Sequence, residues 1–122
     1  MPIADQKMAE YRTTAKNRWL EEQNELSIRY DRAWAIAKEA AAILRAQFGI
    51  HRIVAIGSLT HKHRYHQRSD VDLAVWELPE KKYYRAVAQL LHLDPGHGID
   101  LVRIEDASDS LKKHIEQEGI EL

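Results

Sequence analysis

The chain has 122 residues, enough for one domain with a closed core and too few for a second lobe to hold a substrate. Its 18 Lys and Arg against 19 Asp and Glu leave a formal net charge of −1, which argues against attachment to nucleic acid or membrane by bulk charge. No Cys is present, so disulfide frameworks, thiolate zinc sites and Cys nucleophiles are excluded.

No apolar run approaches the roughly 20 residues that span a bilayer. The opening MPIADQKMAEYR also lacks the apolar core of a signal peptide. The expectation is a soluble cytoplasmic protein with no direct contact to membrane or nucleic acid.

From Asp5 to Phe48 there is neither Pro nor Gly. Apolar residues recur at Met8, Tyr11, Ala15, Trp19, Leu26, Tyr30, Ala33, Ala37, Ala41, Leu44 and Phe48, interrupted near Glu22. Steps of three and four predict an amphipathic helix, either unbroken or split around Gln23-Asn24-Glu25, with Gly49 as its stop. So long a helix cannot bury its whole stripe on so small a remainder. Residues 1–49 are therefore read as a helical arm for interaction or oligomerisation, its far half packing on a partner or on a second copy of the chain.

After Gly49 the period changes. Arg52-Ile53-Val54-Ala55-Ile56 is β-branched and apolar, the pattern of a buried strand, and Gly57-Ser58 ends it. Val71, Leu73 and Val75 alternate with Asp70, Asp72 and Ala74, the pattern of a second strand that stops before Pro79. Glu80 to Leu93 reads as a helix with Tyr84, Val87, Ala88 and Leu91 on one face. The stretch from Asp94 to Gly98 is turn chemistry, and Ile99 to Ile104 is a third strand. Asp106 or Ser108 caps a last helix carrying Leu111 and Ile115, which Gly119 stops. The order predicts an α/β fold for residues 50–122, a small mixed sheet of three to four strands flanked by helices.

The chemistry-bearing residues fall on that sheet. Asp70 and Asp72 are two apart, so both side chains leave one face of their strand. Neighbouring carboxylates repel, and a divalent oxygen-seeking ion, Mg²⁺ or Mn²⁺, relieves the conflict. Asp100 lies mid-strand between apolar residues, and it joins the pair if the two strands are neighbours. Gly57 permits close approach of backbone to a phosphate, and the Ser58 hydroxyl donates to one. The stretch from His61 to Arg68 is the most basic in the chain and supplies further phosphate donors. Together these point to metal-assisted chemistry on a nucleoside triphosphate.

Each piece has a plainer reading: a solvated strand end for Asp-x-Asp, a simple turn for Gly-Ser, an edge charge for Asp100. Their order along the chain is what favours a site. His61-x-His63-x-x-His66 has zinc-like spacing but no evident fourth ligand. Trp19, Trp34 and Trp76 read as packing residues, although alternation puts Trp76 on the Asp70–Asp72 face.

Gly57-Ser58, Ser69-Asp70-Val71-Asp72-Leu73-Ala74-Val75 and Ile99-Asp100-Leu101-Val102 resemble the motifs of the DNA polymerase β nucleotidyltransferase superfamily. The likeness is greatest to its minimal nucleotidyltransferase (MNT) branch, antitoxin partners of HEPN-domain toxins, and it runs from about Ile50 to Leu122. It implies that Gly57 and Ser58 hold the triphosphate of ATP. It implies that Asp70, Asp72 and Asp100 bind Mg²⁺ or Mn²⁺ and are the catalytic residues, with Asp100 assisting deprotonation of the acceptor.

The sequence departs from the pattern in two places. Eleven residues (Leu59 to Ser69) separate Gly-Ser from the acidic pair, one more than is usual in the family. The basic residue that usually follows the Ser is replaced by Leu59-Thr60, which leaves phosphate charge to Lys62, His63, Arg64 or Arg68. The implied activity is transfer of AMP from ATP to a hydroxyl, a Tyr in particular, of a HEPN ribonuclease toxin. Two alternatives are a non-catalytic antitoxin that binds through the arm, and a homodimeric transferase acting on a small molecule.

Overall fold

The computed structural model describes the backbone of residues 2–122 and the side chains from Gln6 onward; the first five side chains of the expected arm, with the Met1 backbone, lie outside that description. Helix α1 (Pro2–Phe48) runs 47 residues without a break, so the alternative of two helices parting at Gln23-Asn24-Glu25 is not realised. Gly49 stops it at φ 66°, a left-handed conformation that L side chains rarely adopt. The helix has two unlike halves. From Gln6 to Glu25 every side chain is exposed, whereas Tyr30, Ala33, Ile36, Ala37, Ala40, Ala41 and Leu44 are buried. The repeated Ala lets the helix approach the sheet closely. Gly49 thus separates two elements of one core, because the second half of α1 belongs to the layer that covers the sheet.

That sheet has four strands, β1 (Ile53–Ile56), β2 (Val71–Val75), β3 (Ile99–Arg103) and β4 (Ile120–Glu121), in the order β3-β2-β1-β4. Strands β1 and β2 are antiparallel, and β3 lies parallel to β2. The crossover between β2 and β3 contains a 3-10 turn at Glu80–Lys82 and helix α2 (Tyr83–Leu90). The expected face of α2 needs correcting. Tyr84 and Leu91 are exposed, while Ala86 and Leu90 are buried, with Tyr83 and Val87 packed against the core. Helix α3 (Asp109–Glu118) is capped by Ser108, whose hydroxyl accepts from the Leu111 N–H at 3.1 Å. The two-residue strand β4 then pairs antiparallel with β1 and completes the sheet. Among the described residues no helix is long and apolar enough to cross a membrane.

Alternation along the strands sorts the core into two clusters. Ile53, Ala55, Val71, Leu73, Val75 and Leu101 face α1 and α2. Val54, Ile56 and Ala74 face the other way and are sealed by Ile115 of α3, with Trp76, Val102, Ile104 and Leu111 at the margin. Trp76 is a packing residue: the Arg52 guanidinium sits 4.0 Å from its ring centroid while pairing with Glu121 at 2.8 Å and Glu116 at 3.3 Å.

Candidate active site

Ten residues of α3 cover only one end of the second sheet face. At the other end the same alternation that buries Val54, Ala74 and Val102 turns out Asp72 and Asp100. In the parallel register of β2 and β3 these two are direct partners, Asp72 beside Asp100, one step from Ala74 beside Val102. Asp70 stands one residue before β2, next to the Val71 N–H that bonds the Gly98 carbonyl at 2.8 Å.

Two glycines make room for the carboxylates. A Cβ on Gly57 would stand 2.5 Å from Oδ2 of Asp72, and one on Gly98 would stand 2.5 Å from Oδ1 of Asp70. Gly57 also has φ 73°, so both its shape and its backbone angle exclude a side chain. The turn it opens, Gly57–Thr60, is closed by Thr60 Oγ1 donating to the Gly57 carbonyl at 2.8 Å. Leu59 plugs the turn into the core, and the Tyr30 hydroxyl of α1 donates to the Leu59 carbonyl at 2.9 Å.

The three carboxylates act on one another across the patch. Burial first, then the charges of Asp100 and Asp70, push the Asp72 carboxyl from 3.8 up to about 6. Asp100 also helps, after burial, to raise the Tyr83 phenol, whose hydroxyl donates to the Leu101 carbonyl at 2.7 Å. Among the described residues no Lys, Arg or His forms an ion pair with Asp70, Asp72 or Asp100.

Nor do any three His, Asp or Glu side chains among the described residues form a closed set of metal ligands. The spaced histidines are engaged elsewhere, His61 with Glu118 at 3.1 Å and His66 Nδ1 with the Arg68 N–H at 3.1 Å. An open carboxylate patch is nonetheless what Mg²⁺ takes, because it binds through one or two carboxylates and fills its remaining positions with water and substrate phosphates. Crowded carboxylates with no counter-charge, set against glycines, fit such an ion.

The basic stretch is less concentrated than its sequence suggests. Lys62 Nζ lies 5.8 Å from the Tyr30 ring centroid, on the α1 side. Arg64 is near enough to Glu118 to help His61 and His114 hold that carboxyl below its usual range. Arg68 is exposed beside the acidic pair in sequence, and Ser69, buried, ties off the loop by accepting from the His66 N–H at 3.0 Å.

Sequence reasoning missed Arg29 and Arg32 of α1. Arg29 donates to the Gly96 carbonyl at 2.9 Å, and Arg32 donates to Asp94 at 3.0 Å. Both brace the turn leading to Gly98 and Asp100. These pairs are 67 and 62 residues apart in sequence, and no local pattern announces them.

A mixed sheet with a Gly-Ser turn after one strand and aspartates side by side on the next two defines a nucleotidyltransferase domain. The family described as "Polymerase beta, Nucleotidyltransferase" matches residues 38–122, and the chain belongs to it. The match begins within α1, in keeping with the burial of that half of the helix.

Solved structures share the fold. One chain of a toxin–antitoxin complex with AMP-PNP is 22% identical at TM-score 0.58, the overlap covering 70% of each chain. One chain of the toxin–antitoxin MntA–HepT is 20% identical at TM-score 0.54, over 72% of this chain and 69% of that one. A mutant toxin–antitoxin complex gives 24% identity at TM-score 0.57, over 70% and 69%. No curated protein sequence matches.

Proposed function

We propose that this chain is an MNT-type antitoxin that transfers AMP from ATP to a hydroxyl, a Tyr in particular, of a HEPN ribonuclease toxin, releasing pyrophosphate. The observation that carries the reading is the Asp72–Asp100 pair in parallel register beside the left-handed Gly57, with Asp70 close enough to act on Asp72. The fold neighbours solved as toxin–antitoxin complexes, one with an ATP analogue, point the same way.

In this reading Gly57 and Ser58 seat the triphosphate, with Lys62, Arg64 and Arg68 as its basic surroundings. Asp70, Asp72 and Asp100 would hold Mg²⁺ or Mn²⁺, which would supply positive charge to neutralise the triphosphate and the departing pyrophosphate. The acceptor oxygen bonds to the α-phosphorus as the bond to the bridging oxygen breaks, and Asp100 draws off the acceptor proton. The chain's contribution is mainly placement, since phosphoryl chemistry responds to alignment and charge.

Incubation with labelled ATP, Mg²⁺ and the product of the adjacent gene tests this. Label on that protein supports transfer, and its loss with Asp72→Asn assigns the site. Protection from the toxin without label supports the second reading, a steric antitoxin. That reading has one observation of its own, an arm whose Tyr11 and Trp19 are 73% and 57% exposed.

A further inference from the structure

We propose that Arg29 and Tyr65 are positioning residues for the acidic patch. Side by side, they set the gap between the two chain segments that end in Asp70 and Asp100, and with it the affinity for a divalent ion. The role rests on those aspartates being metal ligands, and it gives α1, which contributes no ligand, a share in their geometry.

Two segments deliver the aspartates. One runs from Tyr65 to Asp70 and is drawn into a closed turn. The Ser69 N–H donates to the His66 carbonyl at 3.0 Å and the His66 N–H donates to Ser69 Oγ at 3.0 Å, so Tyr65 and Asp70 stand at its two ends. The other is the turn from Asp94, closed by the Gly96 N–H donating to Asp94 Oδ1 at 2.7 Å, and it leads through Gly98 to Asp100. The segments meet where the Val71 N–H bonds the Gly98 carbonyl and where the Asp70 carboxylate lies against Gly98. Arg29 of α1 reaches both. Its Nη2 donates to the Gly96 carbonyl at 2.9 Å, and its guanidinium stands beside the Tyr65 hydroxyl. The same helix aims that hydroxyl, because the Tyr65 ring meets the ring of Tyr30 edge-on with centroids 5.2 Å apart.

These are costly groups to bury. Among the described residues, the buried side-chain N and O atoms with no hydrogen-bond partner belong to Arg29 (Nε), Tyr65 (the hydroxyl) and His97 (both ring nitrogens), and His97 lies on the second turn. Tyr65 is only 3% exposed. Removing an unpaired buried hydroxyl while keeping the ring is neutral or favourable to stability, so packing alone calls for Phe at this position. A polar group kept there without a partner points to a role other than stability. The surrounding charges indicate which. Burial raises the Tyr65 phenol most, the Arg29 guanidinium opposes the rise, and the Asp70 carboxylate adds to it. The hydroxyl thus feels a fixed cation and a carboxylate of the patch together, and its chemistry suits it to accept from one and donate toward the other. Outer contacts of this kind hold a carboxylate in the orientation an ion requires, and Mg²⁺ tolerates little error in the arrangement of its oxygens.

Tyr65→Phe removes one oxygen, and Arg29→Lys keeps the charge but loses the fork that spans both segments. Mn²⁺ binding without nucleotide, followed by the paramagnetic resonance signal of the free ion, reads the patch independently of AMP transfer. Each variant should weaken Mn²⁺ binding about tenfold. In chelator, Tyr65→Phe should melt no lower than wild type, which separates positioning from support of the fold. Transfer at low Mg²⁺ should fall in step, and saturating Mg²⁺ should recover most of it.

Asp72→Asn, which removes a ligand, marks the signal of a disabled patch. If wild type binds Mn²⁺ no better than Asp72→Asn, the metal reading fails and the positioning role with it. If wild type binds better than Asp72→Asn but Tyr65→Phe binds as tightly as wild type, only the positioning role is overturned.

Discussion

Asp72→Asn is the substitution at which stability and activity should part. In the fold the Asp72 carboxyl titrates at about 6, against 3.8 for a free side chain. Between those values the native state keeps a proton that the unfolded chain has already lost. Protonation therefore favours the fold at low pH. That contribution is fully present below the unfolded value, declines as pH rises, and is gone above about 6. The full gap is worth about 3 kcal/mol. Part of the side chain remains in water, and screening reduces the figure to about 1–2 kcal/mol.

Asn has nearly the same shape and no charge, so near pH 7.5 the variant should be more stable by that amount. At this chain length the gain is a rise in Tm of about 4–8 °C. Melting curves in chelator from about pH 4 to about pH 8 should show the gap between variant and wild type closing toward the acid end. With Mg²⁺ restored in excess of chelator, AMP transfer by the variant should fall to background while wild type remains active. A variant that melts no higher than wild type near pH 7.5, or by the same margin at pH 4, would refute the argument that Asp72 is held ionised at a cost.

The two glycines separate backbone strain from side-chain displacement. Gly57→Ala meets both a φ of 73° and Oδ2 of Asp72 at 2.5 Å, so it should lose about 1–2 kcal/mol of stability along with activity. Gly98→Ala meets only the movable Asp70 carboxylate, at 2.5 Å, and should lose activity with little change in Tm. Mg²⁺ should raise the wild-type Tm more near pH 7.5 than near pH 5, because a ligand that titrates at about 6 must first release its proton. Asp72→Asn should blunt that response, and equal shifts at both pH values would argue against Asp72 as a ligand.

The strands were legible because period-two alternation and β-branching leave few alternatives for Ile53–Ile56, Val71–Val75 and Ile99–Arg103. Alternation also fixed which side Asp72 and Asp100 leave. What brought them together is the parallel register, which depends on the crossover through α2 and is not written in either strand. The face of α2 was not legible. Its sequence carries two overlapping stripes, one through Tyr83, Ala86 and Leu90 and one through Tyr84, Ala88 and Leu91. Packing selects the first, where a small Ala86 sits fully buried in the layer shared with α1. Strand β4 is two residues long, too short for any period to register, and it is fixed by Arg52 reaching Glu121 and by the Leu122 N–H bonding the Ile53 carbonyl at 2.9 Å.

The same helix serves the core, the site and the arm, and truncation distinguishes these roles. Residues 6–25 bury nothing, so a chain begun at about residue 22 should keep its domain fold and its melting temperature within a few degrees. A chain begun at Ile50 should not fold. It lacks Ile36 and Leu44, both fully buried, and loss of each such side chain costs about 2–5 kcal/mol even where the surroundings partly close over the gap. It lacks in addition the buried Ala33, Ala37, Ala40 and Ala41, and the whole layer over one face of β1 and β2. Those losses together exceed the 5–15 kcal/mol that typically separates a folded domain from its unfolded chain. The shortened chain would also lose Tyr30 from the Leu59 carbonyl and Arg29 and Arg32 from the turn before Gly98, the braces on either side of the aspartates. A folded, cooperatively melting fragment of residues 50–122 would show that α1 is an appendage; an unfolded one, beside a stable 22–122, locates the domain boundary inside the helix.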